Sequence, residues 1–186
     1  VPPSLRRLLV ALTLCCALAG GTSACGGDGS GAQDTSASAT RTPGATASAE
    51  RQKFAKTRFV ANAGLAAGAT YQWIVKPYRA GSFAKGAKGR RLALVKAGLA
   101  GAFAYNRLKA ASDNAQGDPA LARAVAPLAA GIEALKGLPA KLRKGESTDS
   151  VANSFDDVIG RIKDAGRSAG AEVTDRVPSA AQLSGG

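Results

Sequence analysis

Residues 59–75 read FVANAGLAAGATYQWIV, seventeen positions without a charge. Placed on a helix, Phe59, Val60, Leu65, Tyr71, Trp73, Ile74 and Val75 point all round the axis rather than along one stripe. A helix apolar on every side is either central in a protein or inserted in lipid. At 1.5 Å per residue this stretch spans about 26 Å, short of a hydrocarbon core of roughly 30 Å. Asn62, Gln72 and the many Ala and Gly residues lower its hydrophobicity further. It therefore reads as the central helix of a bundle, running over 49–76 and ended by Pro77.

Gly64 and Gly68 within it form a GxxxG pair, a spacing that lets helix backbones approach closely. In an alanine-rich bundle such a pair reads as close packing. Ala63-Gly64-Leu65-Ala66 with Tyr71 recurs as Ala97-Gly98-Leu99-Ala100 with Tyr105. Two copies are too few for a repeat array, so coincidence or an old helix duplication explains the echo better.

Three further helices follow. One over 90–111 has Leu92, Val95, Leu99 and Phe103 as its apolar stripe. Another covers 118–136. Asp118 suits its N-cap and Pro119 its first turn, where a missing N–H costs nothing. Leu121, Val125, Leu128, Ile132 and Leu135 recur at helical spacing, Pro127 predicts a kink, and Gly137 and Pro139 close the segment. The last covers 148–165, with Val151, Phe155, Val158, Ile159 and Ile162 on one face and Asp156, Asp157, Arg161 and Lys163 largely outside it. No strand signal competes. The expectation is an all-α, four-helix bundle-like domain over 50–168, large enough for one modest core, followed by a tail over 169–186.

Charge divides this domain. The whole chain carries 25 Lys+Arg against 13 Asp+Glu. Residues 51–112 hold 13 basic residues and no acid, whereas 113–186 hold 9 basic and 10 acidic. The basic block is densest in the loop over 77–91, where Arg79, Lys85, Lys88, Arg90 and Arg91 are the candidate contacts for an anionic partner.

Ahead of the domain the character of the chain changes twice. Residues 26–49 are mostly Gly, Ser, Thr, Ala and Asp, with no large apolar side chain, the composition of a disordered tether. Before them, Arg6 and Arg7 precede an uncharged apolar run over 8–19. Small residues follow up to Cys25. This is the layout of an export signal, and the run is too short to span a membrane. Thr22-Ser23-Ala24-Cys25 resembles the lipobox of bacterial lipoproteins, with Thr22 where an aliphatic residue is commoner. The resemblance covers residues 1–25 alone. It implies cleavage before Cys25, a diacylglyceryl group on the Cys25 thiol, and a domain held on the outer face of a membrane. Cys15 and Cys16 would leave with the signal, so the odd count of three cysteines then has an account. The Arg6-Arg7 pair leaves the general and the twin-arginine export routes both open.

The same residues narrow the chemistry. The chain has no histidine, hence no imidazole base, Ser–His pair or imidazole metal ligand. Asp156 and Asp157 are adjacent and diverge by about 100° on a helix, so they form no carboxylate pair. Residues 81–88, GSFAKGAK, lack the Gly-Lys-Ser/Thr ending of a phosphate-cradling loop. Export would remove genomic nucleic acid from reach. A non-enzymatic protein with no cofactor and no metal is expected. Its partners would be the membrane through Cys25, and acidic phospholipid or an anionic wall polymer through the basic half. The alternatives are a glycine-rich hairpin of 59–75 and 92–105 inserted in lipid, or a carrier or enzyme with a groove among Tyr71, Trp73, Tyr78 and Tyr105.

Overall fold

The computed structural model describes residues 43–184. Cys25, the signal-like segment and the tether up to residue 42 lie outside the described residues. Among the described residues every regular element is helical.

The first helix, α1, spans Pro43–Thr70. It therefore takes in residues 43–49, expected as the last part of the tether; alanines at 45, 47 and 49 favour the helical backbone. Residues 47–54 are exposed and Ala55 is the first buried position. From there the helix becomes central: Phe59, Ala63, Ala66, Ala67 and Ala69 are all buried. Among the described residues no helix is long and apolar enough to cross a membrane.

Pro77 does not end this helix. The chain widens into a π turn over Tyr71–Val75 and continues as α2, Lys76–Arg79, with Pro77 in the first turn. Proline breaks a helix because it lacks an N–H and its ring meets the carbonyl four residues back. The π turn shifts the hydrogen-bond ladder so that Pro77 falls in the first turn of a new α segment, where neither matters.

Helix α3, Arg90–Ala115, runs back antiparallel to α1. The register is marked by Lys96 lying over the Trp73 ring, Arg107 donating to Asn62, and Gly117 packed on Ala55. Its buried face is Leu94, Ala97, Gly98, Ala100, Gly101, Phe103, Ala104, Leu108, Ala111 and Ala115. The expected stripe is corrected here. Phe103 is buried, but Leu92 and Val95 are 60% and 45% exposed. Small side chains let α3 lie close against its neighbours, and the larger ones at 92 and 95 are turned outward.

Asp118 caps the next helix as expected: its Oδ1 accepts the N–H groups of Ala120 and Leu121 at 3.0 and 2.9 Å. Helix α4 (Pro119–Val125), a 3₁₀ turn (Ala126–Leu128) and α5 (Ala129–Ala134) follow, so the break falls at Pro127. Pro139 does not close the segment; it lies in the first turn of α6, Leu138–Lys144. Gly98 and Gly101 of α3 lie against Pro139 and Arg143 of α6.

Helix α7, Thr148–Ser168, buries the expected stripe of Val151, Phe155, Val158, Ile159 and Ile162. It runs antiparallel to α1, with Gly166 near Phe59 and Asp156 bonded to Arg79. The 169–186 segment is part of the fold as far as it is described. Ala169, Ala171 and Val173 are buried, and after a stretch without regular structure the short α8, Ala180–Ser184, buries Leu183. This strap lies across Gly64 and Gly68. A methyl on Gly64 would come within 2.5 Å of the Thr174 carbonyl oxygen, and one on Gly68 would overlap the Arg176 backbone.

Candidate functional site

The loop between α2 and α3 is a chain of tight turns. Gly81 N–H donates to the Tyr78 carbonyl at 2.9 Å, Ala84 N–H to Gly81 at 3.0 Å and Ala87 N–H to Ala84 at 3.1 Å. Gly81, Gly86 and Gly89 have φ of 70°, 86° and 76°, which explains glycine at each turn. Phe83 is 4% exposed and anchors the loop in the core. Arg90 Nε donates to the Phe83 carbonyl at 2.9 Å, tying the end of the loop to its middle.

The five candidate cations therefore separate. Arg90 is half-buried and holds the loop together. Arg79 is exposed and paired with Asp156 at 3.2 Å. Lys85, Lys88 and Arg91 are exposed, and none has a carboxylate within 4.0 Å among the described residues. The rest of the basic block divides in the same way. Lys56 donates to the Ala169 carbonyl at 2.8 Å and lies 3.7 Å from the buried Asp118 carboxylate. It joins the end of α7 to the start of α4.

Packing adds cations that the linear sequence assigned to the neutral half. Lys141, Arg143 and Lys144 form the last turn of α6. This turn lies at the loop end of α3, since Gly145 packs on Leu94 and Arg90. The α3–α6 approach, through glycine rather than a large apolar stripe, left little signal to find it by. Glu146 and Asp149 follow at the start of α7, so this end carries both signs and its excess is positive.

Beside the loop lies an open groove of about 400 Å³, lined by Gln72, Trp73, Lys76, Pro77, Leu92 and Lys96 among others. The Lys96 ammonium sits 5.6 Å from the centre of the Trp73 ring. Trp73 belongs to the π turn, and its Nε1 is closed off from solvent without a hydrogen-bond partner. Of the four aromatics considered for a ligand groove, Trp73 lines this one and Tyr71, Tyr78 and Tyr105 do not.

A second polar cluster lies between α3 and α5. The Tyr105 hydroxyl donates to Glu133 Oε2 at 3.0 Å, and Lys109 lies 3.4 Å from Oε1. The Tyr105 hydrogen bond, aided by Lys109, lowers the Glu133 carboxyl below its ordinary range. The bond to Glu133 raises Lys109, and burial, with the same carboxylate, raises Tyr105. No three carboxylates or cysteines among the described residues are grouped to hold a metal ion.

Comparison with known proteins gives no relative: no family model, curated protein or solved structure matches the chain.

Proposed function

We propose that the chain is a non-enzymatic extracytoplasmic domain, held at a membrane by lipid on Cys25, whose basic loop meets an acidic phospholipid surface. The observation that carries this reading is the exposure of Lys85 and Lys88 on the loop and of Arg91 in the first turn of α3, none with a carboxylate partner among the described residues. A basic side chain near an anionic surface contributes about 1 kcal/mol, so three of them orient a domain without holding it there alone. Acyl chains together with a polybasic patch make a stable two-signal attachment.

Cosedimentation of the full chain with neutral and acidic vesicles, over a salt series, tests the contact. The expected result is extra binding to acidic vesicles that fades with salt and disappears in a Lys85→Gln/Lys88→Gln/Arg91→Gln variant. Equal binding to both vesicle types, or a triple variant that behaves as the parent, overturns it. The tether is tested by mass spectrometry of the chain made in an exporting bacterium, with a diacylglyceryl adduct on Cys25 expected and its absence sinking that half.

A further inference from the structure

The groove beside the basic loop has a composition of its own. Its walls are largely apolar, from Trp73, Pro77, Leu92 and Ala93, and its charged side chains are Lys76 and Lys96, with no carboxylate in the lining. Leu92, Val95 and Lys96 share one face of α3, and the two apolar members are 60% and 45% exposed. Water therefore covers a leucine and a valine beside an apolar recess edged by ammonium groups.

We infer that this groove binds a single-chain anionic amphiphile, an acyl or alkyl chain ending in a carboxylate or phosphate. Its volume of about 400 Å³ falls in the range of small-ligand sites, roughly 300–1,000 Å³. The apolar walls take the chain, which removes Leu92 and the Trp73 ring from water. Lys76 and Lys96 take the charged end. Both ends of the ligand are required by the lining. A free anion would leave the apolar walls wet, and a neutral chain would leave two ammonium groups without a counter-charge. The surroundings would also deliver such a ligand, because Lys85 and Lys88 of the adjoining loop and Arg91 at the start of α3 form the proposed contact with acidic lipid. In this respect the inference rests on the proposed surface contact, but the binding itself does not.

Trp73 is the only tryptophan of the chain, so intrinsic fluorescence of the full-length protein reports on this groove. Dodecyl phosphate, inorganic phosphate and the neutral dodecyl maltoside are titrated, each below its aggregation concentration. Dodecyl phosphate is expected to shift the emission saturably and inorganic phosphate not at all. Dodecyl maltoside should bind at least about tenfold more weakly, since it offers the two ammonium groups no counter-charge. Leu92→Asp, at an exposed position and checked for parental circular dichroism, should abolish the response. Lys76→Gln/Lys96→Gln should erase the preference for the charged chain. The absence of a saturable response to dodecyl phosphate, equal affinity for the neutral chain, or a Leu92→Asp protein that binds like the parent overturns the inference. The Lys85→Gln/Lys88→Gln/Arg91→Gln variant separates the two readings. Its residues do not line the groove, so it should bind dodecyl phosphate as the parent does while losing its preference for acidic vesicles.

Discussion

The backbone N–H of Arg176 donates to the carbonyl of Gly64 at 2.8 Å. The glycine pair of α1 thus receives a strap of irregular backbone from the C-terminal part of the chain. Gly64 and Gly68 have a helical backbone; what glycine supplies here is the absence of a side chain where another backbone must pass.

Gly68→Ala should displace the strap. The atoms in the way belong to the backbone of Arg176 and Val177, so no side-chain rotation makes room. Overpacking of this kind costs about 1–3 kcal/mol, which exceeds the roughly 1 kcal/mol that alanine adds to a helix. The expected outcome is a lower melting temperature, with faster hydrogen exchange at residues 174–177 and an intact α1.

Asp118→Ala should destabilise by about 1–2 kcal/mol through loss of the N-cap alone. It also removes the carboxylate beside Lys56, a half-buried lysine. Urea denaturation measures the loss. A change below a few tenths of a kcal/mol would show that solvent replaces both roles of the carboxylate.

Phe155→Ala and Leu92→Ala should differ sharply although both remove a large apolar side chain. Phe155 is fully buried, and its ring edge meets Gly101, so truncation should cost about 3–5 kcal/mol. Leu92 is 60% exposed, so its truncation should stay within about 0.5 kcal/mol. Similar losses for the two would mean that α3 presents a different face to the core.

Tyr105→Phe should raise the Glu133 pKa toward the ordinary carboxylate value, since the hydroxyl is the leading cause of its depression. The sign for stability follows. A carboxyl depressed in the folded state stabilises above its unfolded pKa, and the contribution is lost as pH falls through the lower folded value. Tyr105→Phe shortens that acidic window from its lower end. Side-chain chemical shifts of Glu133 followed between about pH 2 and 6, the range around an ordinary glutamate pKa, give the measurement.

Much of the helical layout was legible because local rules govern it. The Asp118 cap, the break at Pro127 and the α7 stripe depend on residues within one or two turns of each other, and all three stand where the sequence predicts them. The two prolines expected to end helices, Pro77 and Pro139, instead begin short ones. Both roles are compatible with proline, and which one applies depends on the backbone before it.

The surface was less legible. Thirteen basic residues in 51–112 form one block by sequence. In three dimensions Lys56 and Arg90 are structural ties, Arg79 and Lys109 are paired, and Lys85, Lys88 and Arg91 are exposed. Which cation finds a carboxylate or a carbonyl depends on partners up to 113 residues away.

By itself, then, the sequence determined that this is an all-α domain, where most of its helices run, and that its central helix lies near 59–75, because periodicity, capping and charge content act over short range. Only the tertiary structure decided that α3 buries alanine and glycine while exposing Leu92 and Val95, and that Gly64 and Gly68 receive the C-terminal strap. Small residues carry almost no hydrophobic contrast along the chain. Their meaning lies in how closely another backbone can approach, and that is defined only once the chain has folded.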